Sequence, residues 1–145
     1  MLGGTIMAEY TFNYMDKSYS LGEANLTALV NDLERPVKGF DEKEVIELLN
    51  NYPEVGFEKA YYEEPCEECK AGVKEKAKYF NFMEFHFYIF TKDEAYVVSD
   101  ISEEYENTSF NRLLRMGKVD DSYIVSVIVC EDCGSYSIEI EQCPV

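Results

Sequence analysis

The sequence predicts an α+β fold: a mainly antiparallel sheet carrying a helical hairpin, a short third helix and a clasp of four cysteines. Three observations predict it. Apolar residues alternate with period two in several segments, two earlier segments repeat at helical spacing, and four of the five cysteines fall into two Cys-x-x-Cys pairs. The 145 residues suit one domain, expected to span 1–145. A composition 46% hydrophobic and 14% aromatic furnishes a packed core rather than a disordered chain.

Tyr10, Phe12 and Tyr14 alternate with Glu9, Thr11 and Asn13, Asp16-Lys17 offers a turn, and Ser18–Leu21 returns, so residues 9–21 read as a β-hairpin. Leu26, Leu29, Val30 and Leu33 follow at i, i+3, i+4 and i+7, the spacing of an amphipathic helix that ends before Pro36. Asp41 is an N-cap with Glu44 three residues on, and Phe40 and Val45 occupy the positions of a hydrophobic staple. Val45, Leu48, Leu49 and Tyr52 form the buried stripe of this second helix, which Pro53 stops. The short 35–40 connection joins the two as a helical hairpin packed on the sheet.

Residues 79–91 place Met83, Phe85, Phe87 and Ile89 on one strand face and Phe82, Glu84, His86, Tyr88 and Phe90 on the other. That mixture predicts a strand with partial cover on its second side. Lys92-Asp93-Glu94 turns the chain into a strand over Ala95–Ile101, a second hairpin. Asn107, Thr108 or Ser109 caps the third helix through Phe110, Leu113 and Leu114, with Gly117 as its C′ residue. The β-branched run Tyr123–Val129 reads as a central strand buried on both faces, and Tyr136–Glu141 as an edge strand.

Cys66-Glu67-Glu68-Cys69 and Cys130-Glu131-Asp132-Cys133 carry the chemistry. A two-residue gap lets both thiolates of a pair face one ion, and two such knuckles complete a tetrahedral shell, so Cys66, Cys69, Cys130 and Cys133 are expected to ligate structural Zn2+. Gly134 supplies free backbone after the second pair, which lies between two strands and resembles one half of a zinc ribbon. The sixty residues between Cys69 and Cys130 must fold so as to bring the pairs together. Glu67, Glu68, Glu131 and Asp132 oppose thiolate formation, and Lys70, Lys74, Lys76 and Lys78 are expected to compensate.

Two other readings stand beside zinc. The cysteines are buried and idle, or they do thiol–disulfide chemistry, with Pro65 opening a helix whose dipole acidifies Cys66. A disulfide framework suits neither the odd cysteine count nor the chain start, and Cys143 is the spare, a free thiol or a substitute ligand.

Twenty-nine acidic against 13 basic side chains give a net charge of −16, which serves solubility and disfavours nucleic acid and anionic membranes as partners. The sequence contains no run of eighteen apolar residues and no signal-peptide pattern, so a cytoplasmic protein is expected, with residues 1–7 a dispensable or disordered prefix. His86 is the single histidine and shares a strand face with Glu84; it reads as a satisfied histidine. No phosphate loop, Gly-x-Ser-x-Gly or His-Glu-x-x-His occurs, so no catalytic residue is expected. Arg112, Arg115 and Lys118 complement the third helix's dipole or, alternatively, form a docking patch for an acidic partner or ligand. Tyr61 and Tyr62 are expected as an exposed aromatic contact beside the first knuckle.

The segment Tyr105-Glu-Asn-Thr-Ser-Phe-Asn-Arg-Leu-Leu-Arg-Met-Gly117, with the strand and knuckle after it, resembles a small family of uncharacterised bacterial proteins, a domain of unknown function. The resemblance implies a bacterial cytosolic origin and brings no activity. The functional expectation is a non-enzymatic, zinc-stabilised protein that binds another protein; the alternative is a redox protein using Cys66/Cys69 or Cys130/Cys133.

Overall fold

In the computed structural model, which describes residues 8–143, period-two patterning governs more of the chain than helical spacing does. Strands β1 (Tyr10–Tyr14) and β2 (Lys17–Leu21) form the expected hairpin. Its two-residue turn is Met15-Asp16, one residue earlier than expected, with φ of 47° and 65°. Positive φ at both positions matches the right-handed twist of the flanking strands. There follow β3 (Leu26–Val30), α1 (Glu42–Asn51), β4 (Glu58–Tyr62), β5 (Phe80–Lys92), β6 (Ala95–Ser99), α2 (Phe110–Arg115), β7 (Asp121–Cys130) and β8 (Tyr136–Gln142). The hairpin is a sheet of its own, and the other six strands make a second sheet in the order β3-β8-β7-β5-β4, with β6 also paired to β5. The prefix expected over residues 1–7 lies outside the described residues.

The fold is mainly β, 41% strand against 16% helical, which corrects the expected α+β class. The miss is at residues 26–33. Glu23–Asn25 is a 3-10 turn, and Leu26–Val30 is a strand lying parallel to β8. Leu33, expected on a buried stripe, is 94% exposed. Short polar side chains withdraw the backbone groups a helix would use. The Asn31 carboxamide oxygen accepts the N–H groups of Asp32 and Val37, and the Asp32 carboxylate accepts those of Glu34, Arg35 and Gln142. With no first helix there is no helical hairpin, and the expected third helix is the second. β8 is correspondingly an interior strand between β3 and β7, not an edge.

The other helices obey their local signals. The Asp41 carboxylate accepts the N–H groups of Lys43 and Glu44, and α1 buries Val45, Ile46, Leu48 and Leu49. These residues and the hairpin's Tyr19 and Leu21 join one core with Met83, Phe87 and Ile89 of β5, Tyr123, Val125, Val127 and Val129 of β7, and Tyr136, Ile138 and Ile140 of β8. Ser109 caps α2. Gly117 ends it with φ of 71°, donating to the Leu114 carbonyl while the Lys118 N–H reaches that of Leu113, the paired bonds of a Schellman stop. This corner covers Phe90 with Phe110 and Tyr105. β7 is central as expected, but from Tyr123 to Val129 only its odd face is buried; Ile124, Ser126 and Ile128 are half-buried. No helix among the described residues is long and apolar enough to cross a membrane.

Truncating Ile138, which is fully buried, to alanine should cost about 2–5 kcal/mol. Leu33→Ala should change stability by less than about 0.5 kcal/mol. Urea denaturation of the two variants checks strand against helix at residues 26–33, because a helix with Leu33 on its buried stripe would make both substitutions costly.

Candidate metal centre

Both knuckles are the same turn. At the end of β7 the Gly134 N–H donates to the Cys130 carbonyl at 2.9 Å, with Gly134 at φ 79°. In the 63–79 connection between β4 and β5, the Lys70 N–H donates to the Cys66 carbonyl at 2.8 Å, with Lys70 at φ 52°. Each Cys-x-x-Cys is therefore closed by the residue after its second cysteine, held in the left-handed region. Glycine announces that conformation at residue 134; lysine conceals it at residue 70.

Strand register brings the two turns together. β5 pairs antiparallel with β7 so that Phe82 faces Cys130, and the Glu131 N–H donates to the Asn81 carbonyl. The connection bearing Cys66 and Cys69 enters β5 at Phe80, at this same end of the sheet. Gly72 lets it press against the strand: it has φ of 90°, and a Cβ there would lie 3.1 Å from the Phe80 ring.

The four Sγ atoms of Cys66, Cys69, Cys130 and Cys133 all lie within 4.8 Å of one another. Cys66 and Cys133 are 3.7 Å apart, and so are Cys69 and Cys130. A tetrahedral ion with metal–sulfur bonds of about 2.3 Å sets its sulfurs about 3.8 Å apart. A disulfide would need about 2.05 Å. The donor set thus fits a metal ion. Cys143 does not join it. Its N–H pairs with Ser122, eight residues along β7 from Cys130 and roughly 26 Å away at strand rise, which removes it as a substitute ligand.

The four thiols differ. Burial pushes Cys66 up, but the Ser135 hydroxyl at 3.4 Å and the N–H groups of Cys69 and Glu68 outweigh it, and its pKa falls to about 7. Burial pushes Cys69 and Cys130 up, more strongly at Cys130, the buried member of the set. The Ser135 hydroxyl also lies 3.1 Å from the Cys133 sulfur, so one side chain bridges the two knuckles.

The cations that reach the site are not the expected ones. Lys59 pairs with the Glu131 carboxylate at 3.2 Å, and Lys17 donates to the Glu131 and Asp132 carbonyls at 3.2 and 2.8 Å. The Tyr19 hydroxyl donates to the Glu131 carbonyl at 2.6 Å, and the Asn25 amide to that of Gly134. Among the described residues Lys70, Lys74, Lys76 and Lys78 make no ion pair.

Near-complete coverage by one family model follows: the model described as "Protein of unknown function (DUF3785)" matches residues 10–145, both knuckles included. The chain belongs to the DUF3785 family. No curated protein and no solved structure matches it. The match bears out the resemblance read from Tyr105–Gly117 to a domain of unknown function, and the DUF3785 description assigns no activity.

The remaining candidates sort by contact. Tyr61 is 63% exposed with Lys59 over its ring, whereas Tyr62 is half-buried and donates to Glu84 at 2.6 Å. Burial, then that carboxylate, raises the Tyr62 pKa strongly. His86 is satisfied, with Nδ1 2.8 Å from the Ser126 hydroxyl and Nε2 3.6 Å from Glu84. Lys118 of the basic spot borders a cavity of about 500 Å³ that Glu44, Glu47, Glu103 and Glu104 also line. A smaller cavity of about 180 Å³ adjoins the cysteines, lined by Cys66, Cys130, Ser135, Phe82 and Ile128 among others.

Gly134→Ala should cost about 1–2 kcal/mol, since alanine in the left-handed region is strained while its Cβ would meet only the Tyr19 ring at 3.7 Å. Denaturant unfolding measures it. An unchanged midpoint would show that the second knuckle does not need this backbone conformation.

Proposed function

We propose that Cys66, Cys69, Cys130 and Cys133 hold one zinc ion as a structural clasp, and that the protein works by binding another protein rather than by catalysis. The sulfur spacing of 3.7 Å across the knuckles carries this reading. An all-thiolate tetrahedral set suits zinc, and its four ligands leave no open position for a reacting water. The ion would tie the seventeen-residue connection 63–79, which contains no strand or helix, to the end of β7. A reducing compartment such as the cytoplasm keeps the thiols available. Exposed Tyr61, on the strand that leads into the first knuckle, is an aromatic contact suited to a partner surface. The 3.7 Å contacts join different knuckles, which counts against a redox pair within either Cys-x-x-Cys.

Protein purified without chelator or added metal should carry one zinc per chain, with four thiols shielded from alkylation. Because thiols must be deprotonated to bind, zinc should be retained at neutral pH and released as pH falls, with loss of thermal stability. Elemental analysis, a thiol count and melting curves from pH 8 to about pH 4 test this. No zinc together with a disulfide inside one Cys-x-x-Cys would overturn it; iron in place of zinc would correct the ion.

A further inference from the structure

The two sulfur contacts across the knuckles are equally short and each includes one exposed cysteine, but the second partner is half-buried in one and buried in the other. Cys69, an exposed residue, meets Cys130, which is 4% exposed. Cys66, half-buried, meets the exposed Cys133, and both Cys66 and Cys130 line the small cavity beside the clasp. Ser135 touches both of these sulfurs and holds them on one side of the set. Each knuckle's turn is locked by its own backbone bond, so its two sulfurs converge on the shared point.

From this we propose that a hydroperoxide oxidises the clasp across the knuckles, joining Cys66 to Cys133 and expelling the ion, so that a disulfide replaces the metal as the tie. The exposed Cys133 thiolate attacks a peroxide oxygen; the S–O bond forms, the O–O bond breaks, and hydroxide departs with a proton as water. The Cys66 thiolate attacks the resulting sulfenic sulfur; the S–S bond forms, the S–O bond breaks, and a second hydroxide leaves as water. Two thiolates lose two electrons, and one hydrogen peroxide with two protons becomes two waters. The ion keeps only Cys69 and Cys130, half of its shell, and dissociates. The disulfide spans residues 67 apart, one from each knuckle as the ion does, so the 63–79 connection stays on the sheet after the ion has gone. The expulsion step rests on the zinc reading; the sulfur pairing does not.

The test adds hydrogen peroxide in substoichiometric steps to the full zinc-loaded chain with a chromophoric zinc chelator present. Alkylation and non-reducing peptide mapping follow at each step. The expected first product is a disulfide between the Cys66 and Cys133 peptides, with one zinc released per disulfide and Cys69 and Cys130 still free to alkylate. The oxidised, metal-free chain should melt above the reduced, chelator-stripped chain. A first disulfide between Cys69 and Cys130 or within 66/69 or 130/133, or zinc loss with no disulfide, overturns the proposal while leaving the zinc site standing. A chain isolated without metal that still forms 66–133 keeps the pairing and overturns the zinc reading instead.

Discussion

The antiparallel ladder between β5 and β7 is the constraint on which the rest of this protein depends. It runs for ten residue pairs, from Phe82 opposite Cys130 to Thr91 opposite Asp121. On one face it sets Met83, Phe87 and Ile89 beside Val125, Val127 and Val129, and α1 and the β1-β2 hairpin pack against that surface. β8 extends the ladder on one side, and β4 and β6 extend it on the other. A slip of one residue would set the buried face of one strand against the exposed face of the other. It would also move Cys130 away from the strand start that receives the first knuckle. Core and cysteine cluster therefore share one register.

Around that cluster, the chain's acidity is managed by geometry rather than by composition. Four carboxylates lie inside the knuckles of a chain whose net charge is −16. Glu131 is turned to Lys59, and the carbonyls of the second knuckle are occupied by Lys17, Tyr19 and Asn25. Donors aimed at a turn that presents sulfur make that turn less electronegative and hold it still. Lys17 and Tyr19 belong to the hairpin, which stacks Phe12 on Phe57 and Tyr19 and so also closes the core. The hairpin thereby mechanically joins the cysteine cluster to the apolar interior.

Where local signals were strong, the elements could be read in advance. The hairpin alternation, the Asp41 cap with its stripe, the Ser109 cap with Gly117, and the long aromatic strand all formed as patterned. The reading failed where two periods competed. Leu26, Leu29 and Val30 fit a helix, yet Asn25, Asn31 and Asp32 tie up the surrounding backbone and the free edge of β8 offers a ladder. β4 was missed because Glu58–Tyr62 has only Ala60 and Tyr62 to suggest an alternation.

The sequence by itself determined the identity of the cysteine set, because paired spacing and a following glycine are properties of a few adjacent residues. It also determined the single histidine and the acidic excess, which are matters of composition. Only the tertiary structure decided that the two pairs meet, that β8 lies inside the sheet, and that Lys17 and Lys59 rather than the nearby lysine run attend the knuckles. Each of those depends on which strand pairs with which. Such a choice is made between segments distant in the chain, by core burial and ladder register, and neither leaves a mark on the local pattern.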